Sequence, residues 1–446
     1  MERLSTREDF EKAAFSYLDA NRENLGECLA SLISVQSVNQ GYADSCDERD
    51  IAKAVEQEFN ALGLQTEVIY GDEKGIRPNV VGTLKGAGEG RSLLFNAHMD
   101  TVPIADDEKW NTPPFVGTIV NDCVYGRGAN DDKNGIASMI YAVKAVQAAG
   151  VPLKGDVVLL ASAGEESNEG GVYGAGKAIE KGHIRADFAI IAEESGMSLL
   201  TSSPSLCFFE VIIPGKSIHA SARNQAVFPQ EPYILSGNSV GVDALEKALP
   251  IIEMLYRKER DWNINTMRPK PESHSSSRER DNQGVGIYTI NPCSIHGESY
   301  IGALIGELHI TYSVWHDSSL TVDQIKEEIE RDINAVASTD SWLREHPPIL
   351  RMPILQTWKG FSTDSAHSGV EMLRDVYQRC LGRDAVTTEA RFVCDATYIS
   401  EQGIPCVVFG PGSVENGCHG ANEFCSIDSL LETAKIYASA IIDWCS

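Results

Sequence analysis

Apolar and polar positions follow two rhythms in the first half of the chain. Phe10, Ala13, Ala14 and Leu18 recur at helical spacing behind Thr6 and Asp9, which stand where a capping box needs them. Ile51, Val55, Phe59 and Leu62 repeat in the same way and stop at Gly63, a residue type that ends helices. Short, nearly unbroken apolar runs at residues 92–97, 156–162 and 187–192 read as buried strands. Helical stretches at 135–149 and 174–181 separate them. Strand and helix in alternation predict an α/β sandwich around a mostly parallel sheet.

The texture changes after Pro204. Residues 206–213 read as a strand and 241–256 as a helix. The polar stretch 257–283, rich in Lys, Arg, Glu, Ser and Pro, reads as a surface loop. Strands at 285–290 and 303–315, a helix at 321–336 and a strand near 349–354 follow. We read 206–355 as a smaller α/β unit inserted into a main domain made of 1–205 and 356–446. The α/β pattern then resumes with a helix from Ser365, a strand at 405–409 and a last helix at 426–444.

Composition narrows the class. The chain of 446 residues is 42% apolar and 23% charged, ample for a large core. A formal charge of −26 repels phosphate backbones and argues against a nucleic-acid partner. No apolar run is long enough to cross a bilayer, and the charged start lacks the apolar core of a secretory signal. Eleven cysteines stand without a CxxC pair, against both a disulfide framework and a thiolate zinc site. The expected compartment is the reducing cytoplasm.

Six stretches bring acids or histidines to the ends of predicted strands or to the turns beside them. They are "NAHMD" with His98 and Asp100, "GANDDKNG" with Asp131 and Asp132, "ASAGEES" with Glu165 and Glu166, "AEES" with Glu193 and Glu194, "GKSIHAS" with His219, and "GCHGANE" with His419 and Glu423. Five belong to the main domain, and ligands of open α/β sheets bind beyond the carboxyl ends of the strands. Imidazole and carboxylate are the donors of catalytic zinc sites. His98 and Asp100, two apart on an extended segment, project to one side, where Asp100 can orient the ring. Any one of these residues alone reads as a turn or capping group. Other signals are weaker. Residues 171–177, "GVYGAGK", have phosphate-loop spacing but Ala178 where Ser or Thr is needed. No GxSxG elbow occurs, and Cys418 beside His419 reads as incidental.

In combination, "HMDTVP", "YGRGANDDKNG" and "GPG" followed by a late His resemble the two-zinc superfamily of aminoacylases, acetylornithine deacetylases, succinyl-diaminopimelate desuccinylases and glutamate carboxypeptidases. The resemblance runs nearly the whole chain. It implies a zinc-hydrolase α/β sandwich whose inserted unit is a lid and dimerisation domain. It implies His98 and Glu193 as ligands of one zinc, Glu166 and His419 as ligands of the other, and Asp131 as the bridge. Glu165 corresponds to the general base, Asp100 to the partner that orients His98, and His219 to a lid histidine that reaches across a homodimer to the scissile carbonyl oxygen. Two Zn2+ ions, replaceable by Co2+ or Mn2+, are the implied cofactors. The implied reaction is hydrolysis of an amide in an N-acyl amino acid or small peptide bearing a free carboxylate. A dipeptidase or tripeptidase is the near alternative, and a non-catalytic binding protein the distant one. The chain departs from the family pattern in places. Gly164 replaces the acid before the base, "HGESYIG" (296–302) lacks the lid Asn, and "TYSVWHD" (311–317) lacks the Arg that grips a substrate carboxylate. Arg391 is a weak substitute for that Arg.

Overall fold

The computed structural model describes residues 6–39, 47–104, 109–167, 169–228, 236–266, 288–318, 320–355 and 357–446. Thr6 opens the first helix, α1 (Arg7–Ala20), through the expected capping box: its hydroxyl accepts the Asp9 N–H, and the Asp9 carboxylate accepts the Thr6 N–H. Helices α2 (Arg22–Ser34) and α3 (Arg49–Ala61) follow, then strands β1 (Gln65–Tyr70), β2 (Pro78–Leu84) and β3 (Leu93–His98). A short pair, β4 (Thr118–Val120) and β5 (Cys123–Tyr125), precedes α4 (Lys133–Ala149), β6 (Val157–Ser162), α5 (Ala175–Gly182), β7 (Phe188–Glu194) and β8 (Leu199–Ser202). Next come β9 (Ser205–Pro214), α6 (Arg223–Val227), α7 (Ala244–Thr266), β10 (Thr289–Glu298), β11 (Glu307–His316), α8 (Val322–Thr339) and β12 (Ile349–Arg351). The chain closes with α9 (Ser368–Leu381), β13 (Thr387–Glu389), α10 (Ala396–Glu401), β14 (Cys406–Gly410), β15 (Phe424–Ser426) and α11 (Ile427–Cys445).

Two compact units result. One comprises Met1–Ser203 with Phe361–Ser446, and the other Pro204–Gly360. The first is built on an eight-stranded sheet in the order β1-β2-β6-β3-β7-β14-β8-β13. Its central pairings, β6 with β3, β3 with β7 and β7 with β14, are parallel. Side chains alternate between its faces with period two. Leu93, Phe95, Ala97, Val157, Leu159, Phe188 and Ile190 join the core under α1, α2, α4, α9 and α11. Leu94, Val158, Leu160, Ala189 and Ile191 join the core under α5 and α10. Burial on both faces is why these strands read as unbroken apolar runs.

The second unit is a four-stranded antiparallel sheet, β10-β11-β9-β12, with its own core shared with α7 and α8. Thr321 caps α8 with a second capping box through Gln324. The loop expected from residue 257 is corrected as far as Thr266, because α7 continues through it. Two residues of the extension, Lys258 and Trp262, pack against α8. Lys258 Nζ lies 2.9 Å from Glu328 and 2.8 Å from Asp332, and Trp262 Nε1 donates to Glu328 at 3.0 Å. Residues 267–283 of that expected loop, and 285–287 of the strand expected at 285–290, lie outside the described residues. No described helix is long and apolar enough to cross a membrane.

One close approach sets the mouth of the main sheet. A Cβ on Gly410, at the end of β14, would stand 2.0 Å from the Ala192 carbonyl oxygen and 2.6 Å from that of Glu193. Backbone cannot yield there as a flexible side chain could, so β14 can lie beside the acidic end of β7 only with glycine at 410. Gly410→Ala should cost about 1–3 kcal/mol by overpacking. In urea unfolding the midpoint should fall with an unchanged slope, and an unmoved midpoint would show that the approach is not required.

Candidate metal centre

Strand β3 ends in His98, and the chain turns so that Asp100 lies beneath the ring. His98 Nδ1 donates to the Asp100 carbonyl oxygen at 3.0 Å and lies 3.4 Å from Asp100 Oδ1. With a proton on Nδ1, the other nitrogen is left to face outward. That nitrogen, Nε2, is 2.8 Å from Asp131 Oδ1 and 3.9 Å from Glu193 Oε1. Asp100 does more than hold the ring. Its Oδ1 accepts the Glu165 N–H at 3.2 Å, and its Oδ2 accepts the Glu166 N–H at 3.0 Å and Asn39 Nδ2 at 3.0 Å. One buried carboxylate thus ties the end of β3 to the turn after β6.

Asp131 sits in the turn before α4, across a cis peptide from Asp132. Glu423 fixes this turn. Its Oε1 accepts the N–H of Asn130 at 2.8 Å and of Asp131 at 3.2 Å, and its Oε2 pairs with buried Arg127 at 2.7 Å. The second oxygen of Asp131 faces another donor set. His419 Nε2 is 3.2 Å from Asp131 Oδ2 and 3.0 Å from Glu166 Oε2. Asp131 therefore meets His98 through one oxygen and His419 through the other, and each imidazole nitrogen also faces a second carboxylate, Glu193 or Glu166.

The structure brings together His98, Asp100, Asp131, Glu165, Glu166, Glu193 and His419. His219 stands apart from them in sequence and in unit: it is exposed, in the second unit, with Nδ1 2.8 Å from Ser221 Oγ. Three neighbours carried too little sequence signal to be assigned. Cys418 Sγ donates to Asp131 Oδ2 at 3.0 Å, Asn39 supports Asp100, and Arg127 holds Glu423. A lone Cys, Asn or Arg in a loop has no periodicity to betray it, although "GRGANDDKNG" and "GCHGANE" enclose two of the three.

Charge makes this arrangement unstable on its own. Burial pushes the Glu165, Glu193 and Glu194 carboxyls well above the ordinary range, with neighbouring acids adding to it. Burial and then Asp131 push Glu166 up to about 7. Burial opposes ionisation of Asp131, but hydrogen bonds from His419 and His98 outweigh it and hold its pKa below the usual range. Hydrogen bonds to Asp131 and Glu166 raise His419 to about 11. Burial disfavours the charged His98 ring, yet Glu193, Asp100 and Asp131 prevail and raise it well above its ordinary value. Glu166 Oε1, Glu194 Oε2 and Asp132 Oδ1 are buried with no hydrogen-bond partner. Such orphaned oxygens beside outward imidazole nitrogens fit divalent cations. Among the described residues, two groups have donor atoms mutually within 4.8 Å: His98, Asp131 and Glu193; and Asp131, Cys418 and His419.

Residues 94–443 match the family described as Peptidase family M20/M25/M40. The N-formyl-4-amino-5-aminomethyl-2-methylpyrimidine deformylase of Bacillus subtilis (strain 168) is 32% identical over 449 residues, covering 96% of each chain. Among solved structures, a tripeptidase from Staphylococcus aureus subsp. aureus Mu50 superimposes with a TM-score of 0.70 at 22% identity, covering 95% of this chain and 98% of that one. The dipeptidase Dug1p of Saccharomyces cerevisiae superimposes with a TM-score of 0.76 at 14% identity, covering 97% and 98%. At these identities the two structures speak for the fold alone.

The proton balance gives a direct test. His419 and, in part, Glu166 hold protons at pH 7 without metal, His98 and the other buried carboxyls are shifted in the same direction, and cations compete for the same lone pairs. Raised values mean that metal affinity grows as pH rises through the window from about 7, at Glu166, to about 11, at His419. Calorimetric zinc titration at pH 7 in buffers of different ionisation heat should show release of roughly two or more protons per chain. Heats independent of buffer would contradict this electrostatic picture.

Proposed function

Because this chain belongs to the M20/M25/M40 peptidase family and is therefore a metal-dependent hydrolase, we propose that it cleaves a small N-acyl amide with two zinc ions and Glu165 as base. The observation that carries this reading is the two-sided use of Asp131, each oxygen facing an imidazole whose same nitrogen also faces a glutamate. His98 and Glu193 hold one ion, Glu166 and His419 the other, and Asp131 is shared. Cobalt and manganese suit the same donors and are the expected substitutes.

Two cations held there would supply the charge that acidifies a water and polarises the amide carbonyl. Glu165 takes the water's proton on its carboxylate as the water oxygen bonds to the acyl carbon, and passes it to the amide nitrogen as the C–N bond breaks, leaving a carboxylate and a free amine. Burial favours the neutral Glu165 carboxyl, which makes it a strong acceptor once neighbouring cations stabilise its ionised form. Asp100 keeps His98 in the tautomer that leaves Nε2 free and holds the backbone of Glu165 and Glu166 in place.

The acyl group is short, with formyl the smallest case, and the leaving amine needs no carboxylate. Two observations support this choice over the N-acyl amino acid expected from the motifs. The relative at 32% identity is named for deformylation of an aminomethylpyrimidine. The end of β11, Trp315–His316, carries no Arg to grip a carboxylate, and His316 is buried with Nδ1 bonded to the Asp317 carbonyl oxygen at 2.9 Å. Dipeptides and N-acyl amino acids are the second reading, which rests on the missing Arg being replaced from elsewhere. Cytoplasmic location is part of the proposal, supported by the free state of all described cysteines. So is a homodimer through the second unit, with His219 of each subunit completing the partner's oxyanion site.

One set of variants tests base, substrate and assembly together. Glu165→Gln should keep its zinc and lose several orders of magnitude in rate on N-formyl aminomethylpyrimidine. Near-normal turnover would mean another base, and faster turnover of dipeptides by the unmodified enzyme would favour the second reading. Mixed with a His219→Ala chain, itself inactive, Glu165→Gln should regain activity, because one subunit lends His219 to the intact base of the other. Activity at background in proven heterodimers would overturn the cross-subunit role.

A further inference from the structure

The loop between β14 and β15 presents two side chains, not one, to the bridging carboxylate. Consecutive residues of an extended segment point to opposite sides. Here Gly417 and His419 both adopt left-handed backbone, at φ 87° and 60°, and the chain curls. As a result Cys418 Sγ and His419 Nε2 reach the same atom, Asp131 Oδ2, at 3.0 and 3.2 Å. Cys418 is half-buried, so the thiol is held at the centre and not displayed at the surface.

A second observation comes from β7. Glu194 is only 5% exposed, lies close enough to act electrostatically on the Cys418 thiol, and has an Oε2 with no partner. A thiol has a single hydrogen to donate. It is spent on Asp131 Oδ2, which already faces His419 Nε2, and Glu194 Oε2 is left without a donor. A cation accepted by the sulfur removes the conflict, since it attracts both carboxylates and the thiolate. Resting on the two-ion reading above, we propose that Cys418 is a further protein ligand of the ion held by Asp131, Glu166 and His419. The thiol proton leaves to solvent as the ion binds, as for other thiolate ligands.

The consequence is an asymmetric pair. The site of His98, Asp131 and Glu193 offers nitrogen and oxygen only, and accepts harder ions. The site of His419 includes a soft sulfur and selects zinc, cobalt or cadmium over magnesium and manganese.

Cobalt reports this directly. The full chain, stripped of metal and refilled with Co2+, should show visible ligand-field bands together with a near-ultraviolet sulfur-to-cobalt charge-transfer band. In Cys418→Ser the visible bands should remain and the charge-transfer band should vanish. Competition with a chelator should show the weaker ion held at least about ten-fold less tightly in that variant. Should the variant misfold, zinc-edge X-ray absorption of the unmodified protein decides, with a sulfur neighbour expected at about 2.3 Å. Two bound cobalt ions without a charge-transfer band would leave the thiol as a mere hydrogen-bond donor to Asp131 and overturn the proposal. A band that survives in Cys418→Ser would overturn it too, pointing to another sulfur such as buried Cys394. Failure to take up cobalt, with no visible bands, would overturn the two-ion reading itself and this one with it.

Discussion

Carboxylates repel one another, and burial sharpens the repulsion because the protein interior screens charge poorly. Around Asp131 the chain nevertheless gathers Glu165, Glu166, Glu193 and Glu194 within the rim of one sheet, with Asp100 and Asp132 immediately behind. His98 and His419 are the cations that touch Asp131 among the described residues, and each does so through a nitrogen suited to metal. The surrounding structure is arranged to keep this charge in place. Arg127 balances Glu423, and Glu423 in turn grips the Asp131 turn by two backbone N–H groups. Arg77 pairs with Glu48 and Glu169 and donates to Asn39, which donates to Asp100. These fixed bonds keep the acids from spreading apart, and the remaining excess of negative charge is what divalent cations relieve.

The sheet makes the gathering possible. β3, β6 and β7 run parallel and side by side, so their carboxyl ends fall at one edge. Parallel neighbours with helical crossovers place His98, the Glu165–Glu166 turn and Glu193 together although they are far apart in sequence. Precision comes from the turns: Asp100 collects both N–H groups of the Glu165–Glu166 turn, and glycine at 410 lets β14 close against β7.

Much of this was legible because the strands that carry the site are buried on both faces. Their apolar runs stop abruptly at His98, Glu165 and Glu193, and a run ending in acids is hard to miss. Strands β1 and β2 escaped, since β1 lies at the sheet edge with Gln65, Glu67 and Tyr70 exposed and its alternation is weak. Helix α2 escaped because Gly26 interrupts its stripe of Leu25, Leu29 and Leu32, although Gly26 is where Ile427 packs closest. The overrun of α7 was hidden by composition. Its Lys, Arg and Glu residues look like loop, but Lys258 among them pairs with Glu328 and Asp332 of α8. Cys418 read as incidental for a different reason: left-handed backbone at Gly417 and His419 together brings it to Asp131, and handedness at a non-glycine residue such as His419 leaves no mark in a sequence.

A two-ion centre requires Asp131 to be a shared ligand. Anomalous diffraction from crystals grown with zinc, collected above and below the zinc edge, tests it most directly. It predicts two fully occupied peaks about 3.5 Å apart, one beside His98 and Glu193 and one beside Glu166 and His419, with an Asp131 oxygen directed at each. A single peak in well-occupied crystals, with Asp131 turned away from it, would contradict the account.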